Sequence, residues 1–533
     1  MRSWRPTTII AIVLLVALPL LPGVLATGSP SALVRLPVES IIAILLLALL
    51  PWRRVRSVVA AIFGAFVVVA LAVAVLDVAF KYALDVPFDP NDWRQVGDGF
   101  GVIQDSIGAP AAIAVLALIA VLAVATAVAL AWAALRVDAA ARGQRGRGRA
   151  AISGVAAVWV VASLAGSQLV AGQPAAASAS VDSITSAASI ASQTLSAQQS
   201  VAAQIRDDPY RTVPASRLLT SLRGKDVIIA FVESYGKVAL DDPSISGAVE
   251  QVLHDGQSQL TAAGYSSQSA WLTSPTFGGV SWLAHSTLES GLWINKQSIY
   301  DKVVATDRFT LSDAFGAAGW NTVSDVPSDT HPWRVGTSFY HYGTLLDTNN
   351  VEYHGPSFGY ARIPDQYTWK YFSDTQLAPG HEPVMAEIDF VSSHTPWAPL
   401  PELVPWNEIG DGSIYSSQLA GQETTSDIWS DPIRIKQAYG RSIQYSLGAL
   451  FSFVQNSDDP NLVLIVLGDH QPAAVVSGDN ASRDVPISVI SKDPAVFDAI
   501  SAWKWEDGML PSAGAPLWRM DEFRDRFLGA FGG

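Results

Sequence analysis

The sequence predicts a two-part α/β protein: an N-terminal transmembrane helical domain, residues 1–172, followed by a domain with a mostly parallel central sheet flanked by helices. Three observations predict it. The first third is dominated by Ala, Val, Leu and Ile in long uninterrupted stretches. Beyond residue 221, compact β-branched runs alternate with segments of helical composition. Several of those runs end directly on ionisable side chains.

Five apolar stretches fall at 8–26, 36–52, 58–79, 111–135 and 151–170. A helix advances about 1.5 Å per residue, so about 20 apolar residues cross the hydrocarbon layer. The second stretch is short and carries Glu39, and it fits best as one arm of a helical hairpin with the first. The first has the basic lead of a signal peptide in Arg2 and Arg5, but no Ala-x-Ala-like site ends it, so it reads as a retained span.

Orientation follows from the arginines. Arg2 and Arg5 precede the first span, Arg53, Arg54 and Arg56 follow the second, and Arg136, Arg142, Arg145, Arg147 and Arg149 follow the fourth. These segments carry the cytoplasmic signature, with Arg35 a minor exception. The segment 85–98 holds four aspartates and only Arg94, as suits the opposite side. Five spans from a cytoplasmic N-terminus give a multi-pass plasma-membrane protein with everything after residue 172 extracytoplasmic. Asp77 and Glu39 are the internal charges of the spans and sit near their ends, which offers no ion path for a transporter.

Residues 173–220 form a connector rich in Ala, Ser and Gln, without Gly or Pro from 181 to 205, and read as partly helical. Strands are expected at 226–232, 384–391, 461–468 and 486–490, with helices at 243–263, 309–318 and 433–453. Runs at 226–232 and 461–468 are almost continuously apolar, the pattern of strands buried on both faces. In a parallel sheet of this kind the active site lies beyond the carboxyl ends of the strands.

Composition narrows the chemistry. A formal net charge of −14 with only 34 basic residues argues against nucleic acid as a partner. The absence of Cys excludes disulfides, thiolate metal sites and a cysteine nucleophile. Oligomeric state is not encoded in any pattern here.

Four ionisable residues stand at expected strand ends: Glu233, His394, Asp469 and His470. Each alone has a structural explanation. Glu233 would cap a helix, Asp469 would close an Asx turn, and His394 would order a loop. His285, in the helical segment from Ser281, reads first as a residue packed against a neighbouring helix.

Taken in order, Phe231-Val-Glu233-Ser-Tyr-Gly236, Ser274-Pro-Thr-Phe-Gly-Gly-Val-Ser281-Trp, Ser392-Ser-His394 and Gly468-Asp469-His470-Gln-Pro472 resemble the sulfatase-like branch of the alkaline phosphatase superfamily. The likeness is strongest to phosphoglycerol transferases of the lipoteichoic acid synthase type. It implies an alkaline phosphatase/sulfatase-like catalytic domain at 221–533. It further implies one divalent metal ion on Glu233, Asp469, His470 and the nucleophile, with Mn²⁺ favoured and Mg²⁺ or Zn²⁺ allowed by the N and O donors. The family's threonine nucleophile matches Ser281 here, with Thr276 a rival. Trp333 and Arg334 match substrate-binding residues, and His394 matches a loop histidine that contacts substrate or assists the leaving oxygen. Asp325 and His331 offer ligands for a second ion or for substrate, and His341, Tyr342 and His354 border the expected cleft.

The implied reaction transfers a substituted, phosphoglycerol-like phosphoryl group from a membrane phospholipid to a glycolipid or envelope polymer through a phosphorylated hydroxyl. Phosphoethanolamine transfer, phosphodiester or lipid-phosphate hydrolysis, and an inactive envelope protein of the same fold remain as alternatives. A true sulfatase is disfavoured: where it needs C/S-x-P-x-R, the segment 273–277 has Thr273 first and Phe277 in place of Arg.

Overall fold

The computed structural model describes residues 6–84, 86–93, 96–97, 104, 108–143, 146–170, 173–478 and 480–533. Arg2, Arg5, Arg94 and Arg145, along with Asp85 and Asp98, which all enter the orientation reading, lie outside the described residues. The chain divides into two compact units, Met1–Ser196 and Ala197–Gly533.

The first unit is helical. Among the described residues three helices are long and apolar enough to cross a membrane: α1 (Pro6–Thr27), α3 (Arg53–Leu84) and α4 (Ala109–Gly143). They make the chain a multi-pass membrane protein. The other two expected spans differ. α2 (Val38–Leu49) has 12 residues and is about 18 Å long, well short of the hydrocarbon layer. α5 (Gly146–Leu164) has an apolar part, Ala150–Leu164, that is likewise short. Glu39 is buried at the start of α2, where its Oε1 accepts the backbone N–H groups of Ser180 (2.8 Å) and Val181 (3.1 Å). These lie at the N-terminus of α6 (Ala179–Arg206), so the carboxylate meets donors that a helix start leaves unpaired.

The membrane helices pack together: Ala60, Phe63 and Val67 of α3 share a core with Leu130, Ala133 and Ala134 of α4. A Cβ at Gly64 would lie 2.3 Å from the carbonyl oxygen of Ala127, an approach that requires glycine. Asp138 of α4, 1% exposed, pairs with Arg56 at 2.7 Å and Arg142 at 3.0 Å.

The second unit is built on a nine-stranded mixed, mostly parallel sheet. Its strands are β1 (Asp226–Val232), β2 (Ser266–Thr273), β3 (Asn321–Val326), β4 (Thr344–Asp347), β5 (Val384–Phe390), β6 (Leu462–Gly468), β7 (Asp484–Ser491), β8 (Glu506–Asp507) and β9 (Leu517–Arg519). The order is β8-β2-β7-β6-β1-β5-β3-β4, with β9 beside β2. From β6 to β4 every pair is parallel. β7 is antiparallel to both neighbours, which places the expected fourth strand in a reversed position.

Helices cover both faces, giving a three-layered α/β domain. On one face, α7 (Ser246–Ala262), α10 (Asp365–Thr375) and α11 (Pro432–Gln455) cover Ile228, Ala230, Val232, Ala386 and Ile388. On the other lie α8 (Ser281–Ser290), α9 (Leu311–Ala318) and α12 (Phe523–Phe531). Side chains alternate along a strand, so Phe231 and its register partner Asp389 face this second layer. Arg524 of α12, wholly buried, holds Asp208 through two bonds of 2.8 and 3.0 Å, and Arg308 adds a second cation at 3.0 Å.

Candidate metal and nucleophile site

Parallel register assembles the site. β1 pairs with β6 so that Val232 stands opposite Gly468, which sets Glu233 and Asp469 side by side one residue past the strand ends. Both are buried, as is His470. α8 brings in Ser281 as its first residue. Val280, immediately before it, adopts φ 58°, a left-handed conformation costly for a β-branched side chain.

Four residues distant in sequence converge here. Ser281 Oγ donates to Glu233 Oε2 at 2.9 Å and lies 3.1 Å from His470 Nε2. His470 Nε2 is 3.5 Å from Glu233 Oε1 and 3.4 Å from Asp469 Oδ2. Each is oriented from behind. Asp469 Oδ1 accepts the N–H groups of Ser234 and His470, both at 2.7 Å. Ser234 Oγ donates to Glu233 Oε1 at 2.7 Å. His470 Nδ1 donates to the Gln471 carbonyl at 2.8 Å, leaving Nε2 as the nitrogen with a free lone pair.

Electrostatics single out the missing charge. Asp469 is pushed up, first by burial and then by Glu233 beside it. Glu233 is held low: burial opposes its charge, but the imidazoles of His470 and His394 outweigh it. Asp469 Oδ2 is fully buried with no hydrogen-bond partner. Two abutting carboxylates, one with an unpaired oxygen, beside an imidazole lone pair form a donor set that fits a divalent cation.

A cavity of about 480 Å³ opens against this cluster. Its lining includes Glu233, Ser281, Asp469, Trp333 and His394, together with Asp329, Tyr340 and Tyr360, and among the described residues no Lys or Arg lines it. His394 stacks on Tyr360 with ring centroids 3.6 Å apart, and its Nδ1 donates to the Thr395 carbonyl. Trp333 lies against Tyr340 at 5.3 Å.

Other sequence expectations are placed elsewhere. The Thr276 hydroxyl is buried 3.4 Å from that of Ser274, so it is Ser281 that meets the carboxylates. Arg334 starts a short helix whose first turn carries its side chain outward; it is exposed and lies outside the cavity lining. His331 and His354 are on the surface, and exposed His341 pairs with Asp313 at 2.7 Å. Tyr342 is buried and donates to Glu387 Oε2 at 3.1 Å. Asp325 is 1% exposed on β3. Sequence reasoning passed over Glu387, Asp389 and Tyr360 as site residues. The first two had a signal: carboxylates two apart in an otherwise apolar strand share one face.

Fold and site together define a membrane-anchored α/β protein whose strand ends converge on a carboxylate–imidazole–hydroxyl cluster suited to a divalent metal. No family model matches the chain, and no curated protein matches it. Among solved structures it is similar to the integral membrane lipooligosaccharide phosphoethanolamine transferase A (EptA) from Neisseria meningitidis, at 12% identity and TM-score 0.48 over 98% of this chain and 95% of that one. It is also similar to the Streptococcus pyogenes phosphoglycerol transferase GacH, at 13% identity and TM-score 0.37 over 62% of this chain and 79% of that one. A third is the lipoteichoic acid synthase LtaP from Listeria monocytogenes, at 13% and 0.36 over 59% and 76%.

Proposed function

We propose that this chain is a metal-dependent phosphotransferase or phosphodiester hydrolase that moves a substituted phosphoryl group off a membrane phospholipid through Ser281. One observation carries the reading: the Ser281 hydroxyl, leading a helix, is held between Glu233 Oε2 and His470 Nε2 at 2.9 and 3.1 Å. A free hydroxyl is a weak nucleophile at neutral pH and needs a partner that takes its proton or stabilises its alkoxide. Glu233, Asp469 and His470 would hold a divalent ion, with Mn²⁺ the preferred candidate, and when bound that ion lowers the hydroxyl's proton affinity and polarises a phosphoryl oxygen.

The remaining work belongs to the side chains. Ser281 Oγ forms a bond to phosphorus as the bond from phosphorus to the lipid oxygen breaks. His394, steadied by Tyr360 and the Thr395 carbonyl, delivers a proton to that departing oxygen. An acceptor hydroxyl, on a glycolipid or polymer or in water, then takes the phosphoryl group as the bond from Ser281 Oγ to phosphorus breaks; the acceptor's proton goes to His394, and Ser281 Oγ regains from solvent the proton it released in the first step. Trp333, Tyr340 and Tyr360 line the headgroup side of the cavity. The membrane helices share a chain with this site, which raises the effective concentration of a lipid donor.

A headgroup bearing an ammonium, as in phosphoethanolamine transfer, is favoured over neutral glycerol by Asp329 beside these aromatic rings and by the lack of Lys or Arg in the lining. The test is to incubate the purified, Mn²⁺-loaded full chain with labelled phosphatidylethanolamine, phosphatidylglycerol and phosphatidylcholine, measuring released lipid alcohol and mapping the phosphorylated residue. Release lost in Ser281→Ala, with a modified Ser281 peptide, supports the reading. A reaction that survives Ser281→Ala but not Thr276→Ala moves the nucleophile, and no release from any donor leaves an inactive envelope protein.

A further inference from the structure

The helix that presents Ser281 carries two more ionisable groups on the same stripe. Ser281, His285 and Glu289 follow at four-residue intervals and share one face of α8. Across from them, β5 presents Glu387 and Asp389. His285 Nδ1 lies 3.1 Å from Asp389 Oδ2 and 3.9 Å from Glu387 Oε1, and its ring stacks on Phe231 with centroids 4.1 Å apart. His285, Glu387 and Asp389 line the cavity beside Ser281, yet the chemistry proposed there uses none of them.

We infer that His285, Glu387 and Asp389 form a second divalent-cation site, for Mn²⁺ or Zn²⁺, in the wall of the same cavity. The inference builds on the reading of Glu233, Asp469 and His470 as the first site. Bonds of about 2.0–2.2 Å to nitrogen and oxygen place neighbouring ligand atoms about 3–4.4 Å apart around a small ion. The separations of 3.1 and 3.9 Å about His285 Nδ1 fall in that interval. Glu387 is already oriented for it: Tyr342 donates to Oε2, which leaves Oε1 toward His285.

Charge points the same way. Glu387 is 3% exposed and Glu289 0% exposed, and Asp389 Oδ1 is buried with no hydrogen-bond partner. His285 is the one basic group among these three carboxylates. The carboxylates thus demand a cation at this point. A proton on His285 Nδ1 reaches Asp389 Oδ2 at 3.1 Å but stays 3.9 Å from Glu387 Oε1. A divalent ion against Nδ1 supplies more charge and gives Glu387 and Asp389 a common partner.

The experiment is metal binding by the full chain in detergent, stripped with chelator and dialysed against Mn²⁺ or Zn²⁺ alone, with bound metal measured by elemental analysis. Wild type should bind two ions, Asp389→Asn and Glu233→Gln one each, with the Asp389→Asn loss amounting to at least about a hundredfold in affinity for the second ion. Two ions kept by Asp389→Asn, or a wild type that binds one ion and keeps it unchanged in Asp389→Asn, overturns the second site. A single ion lost in Asp389→Asn but kept in Glu233→Gln supports the second site and sinks the first. Should the variants misfold, anomalous diffraction from wild-type crystals at the metal edge decides it. A peak between His285 and Asp389 supports the site. A peak confined to Glu233, Asp469 and His470, or ethanolamine bound in its place, overturns it.

Discussion

Gly468→Ala tests whether strand register positions the metal cluster. A Cβ at residue 468 would lie 2.0 Å from the carbonyl oxygen of Tyr235 and 2.8 Å from its carbonyl carbon. That neighbour is backbone, and it belongs to the turn after β1 in which Ser234, at φ 57°, donates its N–H to Asp469. The methyl therefore cannot be absorbed by a rotamer change. Relief to an ordinary contact of 3.4 Å requires a shift of about 1.4 Å between the end of β6 and the turn after Glu233, which are the two segments carrying the ligands. Overpacking of this kind costs about 1–3 kcal/mol of stability. Displaced ligand support typically weakens metal binding by about 10–100-fold, and a misplacement of about 1 Å can lower turnover about a hundredfold. Calorimetric titration of the stripped protein with Mn²⁺, alongside thermal unfolding with and without metal, reads both effects. Wild-type Mn²⁺ affinity together with an unchanged melting temperature would show that this register does not set the site.

Three further outcomes follow from the same geometry. Trp333→Ala should lower kcat/KM by about tenfold or more, whereas Arg334→Ala should stay within about twofold, since Trp333 lines the cavity and Arg334 does not; steady-state kinetics giving the reverse ranking would place the substrate on Arg334. Asp325 is pushed by burial, then by Asp389 and Asp347, to about 8. Its folded pKa lies above the unfolded value of about 3.9, so the folded state keeps the proton longer and stability is lost as pH rises from about 4 to about 8. In metal-stripped protein, Asp325→Asn should match wild type at pH 4 and exceed it at pH 9 by up to about 5 kcal/mol, and equal melting temperatures across that range would refute the shift. Arg524→Leu leaves buried Asp208 with Arg308 as its remaining cation and should cost about 3–5 kcal/mol, part of it recovered by adding Asp208→Asn, as measured by thermal unfolding.

The legible parts of the molecule are those where one residue type repeats. β1 and β6 are almost uninterrupted apolar runs because both faces are covered, and their length of seven residues with flanking turn signals suits a strand. Glu233 and Asp469 stood out because a charged side chain abutting such a run is unusual. β2 was missed because Ser266-Ser-Gln-Ser carries little apolar signal; what holds it is pairing with β7, β8 and β9, which composition does not reveal. Trp333 and Arg334 were read together as neighbours in sequence, yet a helix starting between them turns one inward and the other out. α2 looked like a span because hydropathy extends through residues 50–52, while the helix itself stops at Leu49.

His285 shows why single residues resist such reading. An imidazole on a largely apolar helix is ordinarily a packed side chain, and stacking on Phe231 is indeed half of what it does. Its other half depends on β5, about 100 residues later, where Glu387 and Asp389 break an apolar run at alternate positions. Each departure from pattern is small on its own strand or helix. The parallel pairing of β1 with β5 sets Phe231 opposite Asp389, and the four-residue helical repeat sets His285 one turn past Ser281. Two independent periodicities, 2 along the strand and about 3.6 around the helix, therefore bring the second cluster to the wall that already holds the nucleophile. A sheet slipped by one residue would turn Glu387 and Asp389 into the opposite layer against α7 and α11, where unpaired carboxylates would have to be buried in an apolar core. The acid pair thus helps to enforce the register on which the hydroxyl, the carboxylates and the imidazole at the strand ends depend.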